Sequence, residues 1–195
     1  MKSYIYLIGF TKLFLMGIET KFTKVKLFSG IIYKKVEQKE KIKIILQKKY
    51  SPIDFETEEI PFDMTDYYNK EMGSSLFRMF ISFKDLIYPN QLPNIKIFTD
   101  QLEQNTAISG NRVINIDPGF LSQANVIIAT TKNHYHRVPL KKGIYAHIEY
   151  VIKKNKIATL EWTYPDFKKE DYINFFTKLK ALYKENLIVY EGRSL

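Results

Sequence analysis

The second half of the chain limits the possible folds most, because short runs of β-forming residues follow one another there with turn-forming residues between them. Five strands are predicted at Val113–Ile116, Val126–Thr131, Arg137–Leu140, Ile144–Ile152 and Ile157–Trp162. Turns are predicted at Asp117-Pro118-Gly119, Lys132-Asn133, Lys141-Lys142-Gly143 and Lys154-Asn155. This order predicts an antiparallel β-meander or, alternatively, a small closed barrel.

The first half alternates between strand and helix patterns. The predicted elements are a strand at Val25–Tyr33, a helix at Gln38–Tyr50, a strand at Ile53–Phe62, a short acidic and aromatic segment at Asp66–Met72, a strand at Leu76–Leu86 and a helix at Asn90–Leu102. The order β-α-β-β-α-β is typical of a ferredoxin-like split βαβ unit. An amphipathic helix at Glu170–Leu187 ends the pattern. We therefore predict one α+β domain over residues 24–190, with a ferredoxin-like split βαβ unit extended by an antiparallel β-meander and closed by a C-terminal helix.

Residues 1–23 are predicted to be an extension of this domain. The apolar stretch Tyr4–Ile18 is interrupted by Lys12 and is shorter than the roughly 20 apolar residues of a transmembrane helix. It also lacks the small-residue cleavage site of a signal peptide. No stable membrane association is expected. One hypothesis is that translation begins at Met16, so that the preceding residues are not translated or form a disordered extension.

Composition narrows the chemistry. The chain has no cysteine, which excludes disulfides, thiolate metal sites and a cysteine nucleophile and fits a cytoplasmic location. The net charge is +9, but only four of the 30 basic residues are Arg. Lys on a solvated surface explains this balance better than a nucleic-acid footprint does, because Arg is the residue favoured for bidentate phosphate and base contacts. Phosphate-loop, dinucleotide-binding and serine-hydrolase motifs are absent from the sequence.

Histidines give the first candidate site. If a hairpin turns at Lys141–Gly143, side-chain alternation places His134 and His136 on one face and His147 and Glu149 on one face. A four-residue turn then sets His136 beside His147 and His134 beside Glu149. These four side chains are a chemically sensible set of ligands for a first-row metal. The alternative is histidines scattered over core and surface, since a shift of one residue in register separates the set.

The second candidate site is polar and combines hydroxyl, ammonium, imidazole and guanidinium groups, which suit a phosphate or carboxylate ligand. Its members are Asp117, Thr131, Lys132, His136 and Arg137, with Asp66 and Glu149 as further acids. The alternative is that Lys132 and Arg137 form structural salt bridges with these acids. In the Asp117-Pro118-Gly119 run, Gly119 is expected to supply a positive φ and Pro118 to fix the turn.

Aromatic residues give the third candidate site. Trp162, Tyr164 and Asp166 follow the last predicted strand, and Tyr67 and Tyr68 lie in the short segment after Phe62. Aromatic walls with convergent polar groups form pockets for flat ligands such as bases. The alternative for the single Trp is a packing anchor between a strand and a helix.

Four runs together resemble a known family. They are PFDMTDYYNKEMGSSL, RVINIDPGFL, IIATTKNHYHRVPLKKGIYAHIE and LEWTYPDF. In order and spacing they resemble the bacterial family described as domain of unknown function 4416, from about Lys26 to Leu187. The resemblance implies that the His136-Arg137 pair and the surroundings of Glu149 belong to the family pattern. It does not require His134, and it implies an acid at the position of His147. It implies no reaction.

Two functions remain open. In the first, the domain binds a small anionic ligand, such as a nucleotide or phosphorylated metabolite, through Lys132, His136 and Arg137. A hydrolase or transferase could then use Asp66, Asp117, His136 or Glu149 as base or metal ligand. In the second, a non-catalytic module binds RNA by stacking on a basic, aromatic-rich sheet. Aromatic rings around a concave pocket favour the first function, and exposed rings on a sheet face favour the second. The sequence identifies no cofactor.

Overall fold

All strands pair antiparallel in a single nine-stranded sheet in the computed structural model, which describes residues 20–192. The strands are β1 Val25–Tyr33, β2 Ile53–Glu56, β3 Ile60–Phe62, β4 Leu76–Ile87, β5 Ile114–Leu121, β6 Asn125–Thr130, β7 Val138–Lys141, β8 Ile144–Lys153 and β9 Lys156–Thr159. The helices are α1 Val36–Lys49, α2 Asn69–Met72, α3 Leu92–Thr106 and α4 Glu170–Tyr190. The sheet order is β2-β4-β1-β5-β6-β8-β7, with β3 also on β4 and β9 also on β8.

Helices cover both faces of this sheet. Side chains alternate between the faces along β1, so Leu27 and Ile31 pack in a cluster with residues of α1 and α3. Phe28 points the other way and packs against Phe175 and Phe176 of α4. The mixed α+β class and the closing C-terminal helix are therefore confirmed, and the two apolar clusters explain why β1 is buried along its whole length.

Two predicted elements in the β regions differ from the structure. The strand predicted at Ile53–Phe62 is divided into β2 and β3, which both pair with β4. The simple β-meander is wrong at β7, because β6 pairs directly with β8 and β7 lies on the outer side of β8. All four β7 residues are exposed and one is Pro139, so β7 suits an edge position. The closed-barrel alternative is also wrong over residues 20–192, where the strands form an open path from β2 to β7.

The predicted turn at Asp117-Pro118-Gly119 is wrong, because all three residues lie inside β5 and pair with β1. Gly119 does not have a positive φ. A Cβ at this position would lie 2.4 Å from the carbonyl oxygen of Ile127 and 2.5 Å from the Phe28 ring. Gly119 is thus required for close approach between β5, β6 and the core, not for a turn.

β5 and β6 pair only through Gly119, Phe120 and Leu121 of β5, so the part of β5 that precedes Gly119 has no β6 partner. β6 itself continues to pair with β8 as far as Thr130. Two side chains of α3 bind this unpaired edge of β5. The backbone N–H of Ile116 donates to Glu103 at 2.7 Å, and Lys96 donates to the Ile116 carbonyl at 3.2 Å. These side chains replace a strand as partners for buried backbone groups.

The apolar stretch at Tyr4–Ile18 and the Met16 hypothesis lie outside the described residues. Among residues 20–192, no helix has both the length and the apolar character needed to cross a bilayer. The domain limits of 24–190 stay a prediction.

Candidate functional site

A pocket of about 710 Å³ lies where β5 and β6 separate. One wall is the segment 62–68, and the other wall is formed by residues 128–132 at the end of β6 and by residues 164–167 before α4. Side chains from β4, β5 and α3 form the floor. The volume is in the range of small-molecule sites in proteins.

The structure brings about half of the predicted site residues into this pocket. Those that line it are Tyr67, Tyr68, Asp117, Thr131, Lys132, Tyr164 and Asp166. The others do not line it, and they are Asp66, His134, His136, Arg137, His147, Glu149 and Trp162. Asp66 is exposed and accepts a hydrogen bond from Asn69 at 2.6 Å, at the start of α2.

The floor cluster consists of Arg78, Lys96, Glu103 and Asp117 from the floor, together with Asp166 from the adjoining wall. Asp117 lies at its centre and accepts hydrogen bonds from Asn115 at 2.8 Å and Arg78 at 3.4 Å, with its side chain 25% exposed. Arg78 also donates to Asp166 at 2.6 Å. Burial raises the pKa of Asp166, and the attraction of Arg78 opposes that rise. The floor cluster is therefore a network of opposite charges in which Asp117 keeps access to the pocket.

α3 contributes two charged side chains to the floor cluster. Burial raises the pKa of Glu103 to about 7, although Lys96, the Ile116 N–H and Arg112 act to lower it. Burial would lower the pKa of Lys96, but Asp117, Glu103 and Asp100 outweigh it and raise that pKa. Lys96 also pairs with Asp100 at 2.8 Å. Glu103 is thus a buried carboxyl in a pocket with a pKa close to neutral, a property of acid–base residues.

Arg112 borders the floor cluster and ties it to α2. Its guanidinium forms a bidentate pair with Glu71, with distances of 2.9 and 2.7 Å, and also contacts Glu103 at 3.3 Å. It donates to Asn115 at 3.1 Å. Arg112 therefore holds the 69–72 helix against β5, beside one wall of the pocket.

The histidine chain, His134, His136, His147 and Glu149, lies behind the other wall. Nδ1 of His134 is 3.0 Å from Nδ1 of His136, and Nε2 of His136 is 3.1 Å from Nδ1 of His147. Nε2 of His147 is 2.8 Å from Oε2 of Glu149, an ion-pair distance without the alignment of a hydrogen bond. His136 lies beside His147 as predicted, whereas His134 contacts His136 and not Glu149.

These four side chains form a line and not a shell. His136 meets one neighbour through Nδ1 and the other through Nε2, so one ion cannot bind both contacts. Over residues 20–192, no group of three or more His, Asp or Glu has a geometry that could hold a metal ion. The geometry therefore gives the predicted metal set no support.

Arg137 and the segment 162–164 connect the histidine chain to the pocket wall. Arg137 donates to the Tyr164 hydroxyl at 2.6 Å, to the Lys132 carbonyl at 2.8 Å and to Nδ1 of His147 at 3.3 Å. Trp162 stacks on His136 and donates to the Ile148 carbonyl at 2.9 Å, consistent with a packing anchor. Arg137 therefore braces the wall from behind and does not face the pocket.

Sequence reasoning missed Arg78, Lys96, Glu103 and Arg112. A usable pattern existed for Arg78, because it is the one charged residue in the apolar run LFRMFISF. Lys96 and Glu103 are seven positions apart, two turns on one face of α3, but the helix predicted at Asn90–Leu102 ends one residue before Glu103. Nothing local distinguishes Arg112 from other surface basic residues.

Comparison with known families gives one match. The family model described as Domain of unknown function (DUF4416) matches residues 23–183, and the chain belongs to this family. No curated protein and no solved structure matches the chain.

Proposed function

We propose that the pocket between β5 and β6 binds a small phosphorylated or nucleotide-like ligand, and that it supports hydrolase or transferase chemistry on that ligand. The observation that carries this proposal is the combination, in one concave pocket, of an unpaired cation at the wall and a near-neutral carboxyl on the floor. Such convergence of polar groups is typical of a ligand site.

Lys132 is the cation that is available to a ligand. The other three basic residues lining the pocket, Arg78, Lys96 and Arg112, each pair with carboxylates. Over residues 20–192, no carboxylate pairs with Lys132, whose ammonium lies 4.0 Å from the centre of the Tyr67 ring. A negatively charged ligand group at the pocket mouth would therefore form an ion pair with the Lys132 ammonium, beside the Tyr67 ring.

Glu103 and Asp117 are the candidates for proton transfer. Glu103 has a pKa of about 7, so it can accept a proton near neutral pH. Asp117 lies 3.4 Å from Arg78 and 4.0 Å from Lys96, and its side chain is 25% exposed, so its oxygens are within reach of a ligand in the pocket. Of the four predicted catalytic residues, Asp66, His136 and Glu149 lie outside this pocket and only Asp117 lines it.

The positions of the aromatic rings support the small-ligand function over the RNA-binding alternative. Phe28, Phe80 and Tyr150 pack under α4, and Phe83 packs in the cluster with α1 and α3. RNA binding by an open sheet needs such rings exposed on the face. Tyr67, Tyr68 and Tyr164 line the pocket instead.

We also infer that residues 25–121 form a ferredoxin-like split βαβ unit. In its support, β2, β4, β1 and β5 lie side by side in that order and pair antiparallel. The helices α1 and α3 connect these strands and pack on the same face.

The absence of cysteine supports a cytoplasmic location.

Isothermal titration calorimetry tests the ligand proposal with inorganic phosphate, AMP, ADP, ATP, GTP and glucose 6-phosphate as probes. At least one organic phosphate is expected to bind one-to-one. Lys132→Ala should weaken that binding at least tenfold, and Lys141→Ala, which removes an exposed Lys of β7, should change it less than twofold. Equal binding by both variants, or tight binding of a single-stranded RNA 20-mer with none of the phosphates, would contradict the proposal.

A further inference from the structure

The histidine chain links solvent to a carboxyl inside the protein. His134 is exposed, whereas the side chains of His147 and Glu149 are 1% and 0% exposed. The intervening contacts between ring nitrogens measure 3.0 and 3.1 Å, and the last contact to Glu149 measures 2.8 Å. Each histidine in the interior of the line uses both of its nitrogens, one toward each neighbour.

Arg137 assigns the direction of the protons in this line. A guanidinium can only donate, so the contact of its Nε with Nδ1 of His147 makes that nitrogen an acceptor. The proton of neutral His147 then lies on Nε2, facing Glu149. Because His147 Nδ1 carries no hydrogen, His136 must donate from Nε2, and its Nδ1 accepts from His134. These tautomers are assigned from the contacts, and every donor points toward Glu149.

We propose that the histidine chain is a proton pathway between solvent and Glu149. In one passage, His147 releases its Nε2 proton to the Glu149 carboxylate and takes a proton on Nδ1 from His136. His136 takes a proton on Nδ1 from His134, which takes one on Nε2 from hydronium and leaves water. One proton enters, Glu149 becomes a neutral carboxyl, and each ring ends in its other tautomer. In that end state the Arg137 Nε–H loses His147 as its acceptor, while Arg137 keeps its hydrogen bonds to the Lys132 carbonyl and the Tyr164 hydroxyl.

The groups around the line suit this transfer. Burial and the neighbouring His147, His134 and Arg137 lower the pKa of His136, so its ring is neutral near pH 7 and can both donate and accept. Burial raises the pKa of Glu149, although His147 and the Tyr164 N–H act to lower it. The His147 Nε2–Glu149 Oε2 contact is not aligned as a hydrogen bond. The terminal torsion angle of a Glu side chain has a broad distribution, so a rotation of the carboxyl group can supply the alignment.

Glu149 in turn lies directly behind the pocket wall. The Tyr164 N–H donates to its Oε1 at 2.9 Å, and Tyr164 and Asp166 line the pocket. The negative charge of Asp166 in turn contributes to raising the pKa of Glu149. A proton that arrives at Glu149 therefore removes a negative charge from behind the pocket wall, next to the Tyr164 backbone. The proton pathway does not depend on which ligand the pocket binds.

The tautomers can be measured directly on the full ¹⁵N-labelled chain by long-range ¹H–¹⁵N NMR of the histidine rings. The expected protonated nitrogens are Nδ1 of His134, Nε2 of His136 and Nε2 of His147. A proton on Nδ1 of His147 in the resting chain, before any transfer, would overturn the proposal. One-to-one Zn²⁺ binding that shifts all three rings together would also overturn it, since it would make the set a metal site.

Transfer is tested by the rate at which the His147 Nε2 proton exchanges with water. His136→Phe keeps a ring against Trp162 and removes both nitrogens, so it should slow this exchange at least tenfold. Tyr135→Phe is the matched control, because Tyr135 is 78% exposed and its ring contacts those of His134 and His136. In this variant the exchange rate of the His147 Nε2 proton should stay within twofold of the wild-type rate. Unchanged exchange in His136→Phe would overturn the pathway. Should that variant fail to fold, the tautomer measurement on the wild-type chain still decides.

Discussion

The floor cluster and the histidine chain lie on opposite sides of Tyr164 and use ionisable residues in different ways. In the floor cluster, Arg78 and Lys96 keep their protons at any physiological pH and pair with carboxylates from other elements. In the histidine chain, each interior imidazole ring contacts one neighbour through each of its two nitrogens. The pairs of Arg78 and Lys96 with carboxylates hold segments together, and Glu103 is the member of the floor cluster with a pKa near neutral, whereas the histidine chain offers a continuous line of donors and acceptors that can pass protons.

The two regions also differ in how far apart in the sequence their contacting residues lie. Arg78 and Asp166 are 88 residues apart in sequence, so their pair joins β4 to the segment before α4. The contacts between His134, His136 and His147 span at most 11 residues and join β8 to the loop before β7. We therefore expect the floor cluster to dominate folding stability, with Lys132 serving the ligand and the histidine chain serving proton movement.

Two arginines, one in each region, give the largest expected contrast. Arg78→Ala leaves Asp166 and Asp117 without their buried partner and should lower the free energy of unfolding by about 3–5 kcal/mol. Arg137→Ala removes a half-buried guanidinium and should cost about 1–2 kcal/mol. Urea denaturation measures both. Equal losses would remove the distinction between the two regions.

The pH dependence of the unfolding free energy should reveal the titration of Glu103. Its pKa is about 7 in the folded chain and near 4.5 when unfolded, so between these values the folded state alone holds the proton. Stability from this group is therefore complete below pH 4.5 and falls as pH rises to 7, by up to about 3 kcal/mol.

Glu103→Gln should lack this part of the pH dependence. Urea midpoints of wild type and variant from pH 4.5 to 7.5 measure the difference, in which the shared contributions of Asp166 and Glu149 cancel. Parallel pH curves for the two proteins would show that Glu103 titrates normally.

Gly119→Ala tests the junction at which β5 and β6 separate. The added Cβ would meet the Ile127 carbonyl and the Phe28 ring inside contact distance, so backbone must move. A loss of about 1–3 kcal/mol is expected, with hydrogen exchange rising first at the β5–β6 pairs. Gly143→Ala is a useful contrast, because its Cβ would meet nothing within 4 Å and only its positive φ is strained.

The smallest effect on stability is expected for His136→Phe. His136 is only half-buried, and the substituted ring can still stack on Trp162. The unfolding free energy should change by about 0.5 kcal/mol or less. A loss as large as that of Arg78→Ala would place the histidine chain among the elements that hold the fold.

Sequence patterns predicted the elements of this fold well, because most strands and helices carry a clear apolar period. They failed at Asp117-Pro118-Gly119, where a local turn preference is overridden by pairing with β1 and by the tight packing at Gly119. The contact of His136 with His147 was predictable, because a short hairpin fixes it. The pair of Arg78 with Asp166 was not, because segments 88 residues apart must first be brought together. The pair of Glu103 with Ile116 was not, because it depends on α3 packing beside a part of β5 that β6 leaves unpaired.

Native mass spectrometry of the chain purified without added ligand tests the central claim, that the pocket holds a small phosphorylated ligand at Lys132, most directly. The spectrum should show a one-to-one adduct with an organic phosphate that is kept in Lys141→Ala and lost in Lys132→Ala. An adduct that persists in Lys132→Ala would contradict the claim. So would a bare chain mass that does not change with any of the six phosphate probes.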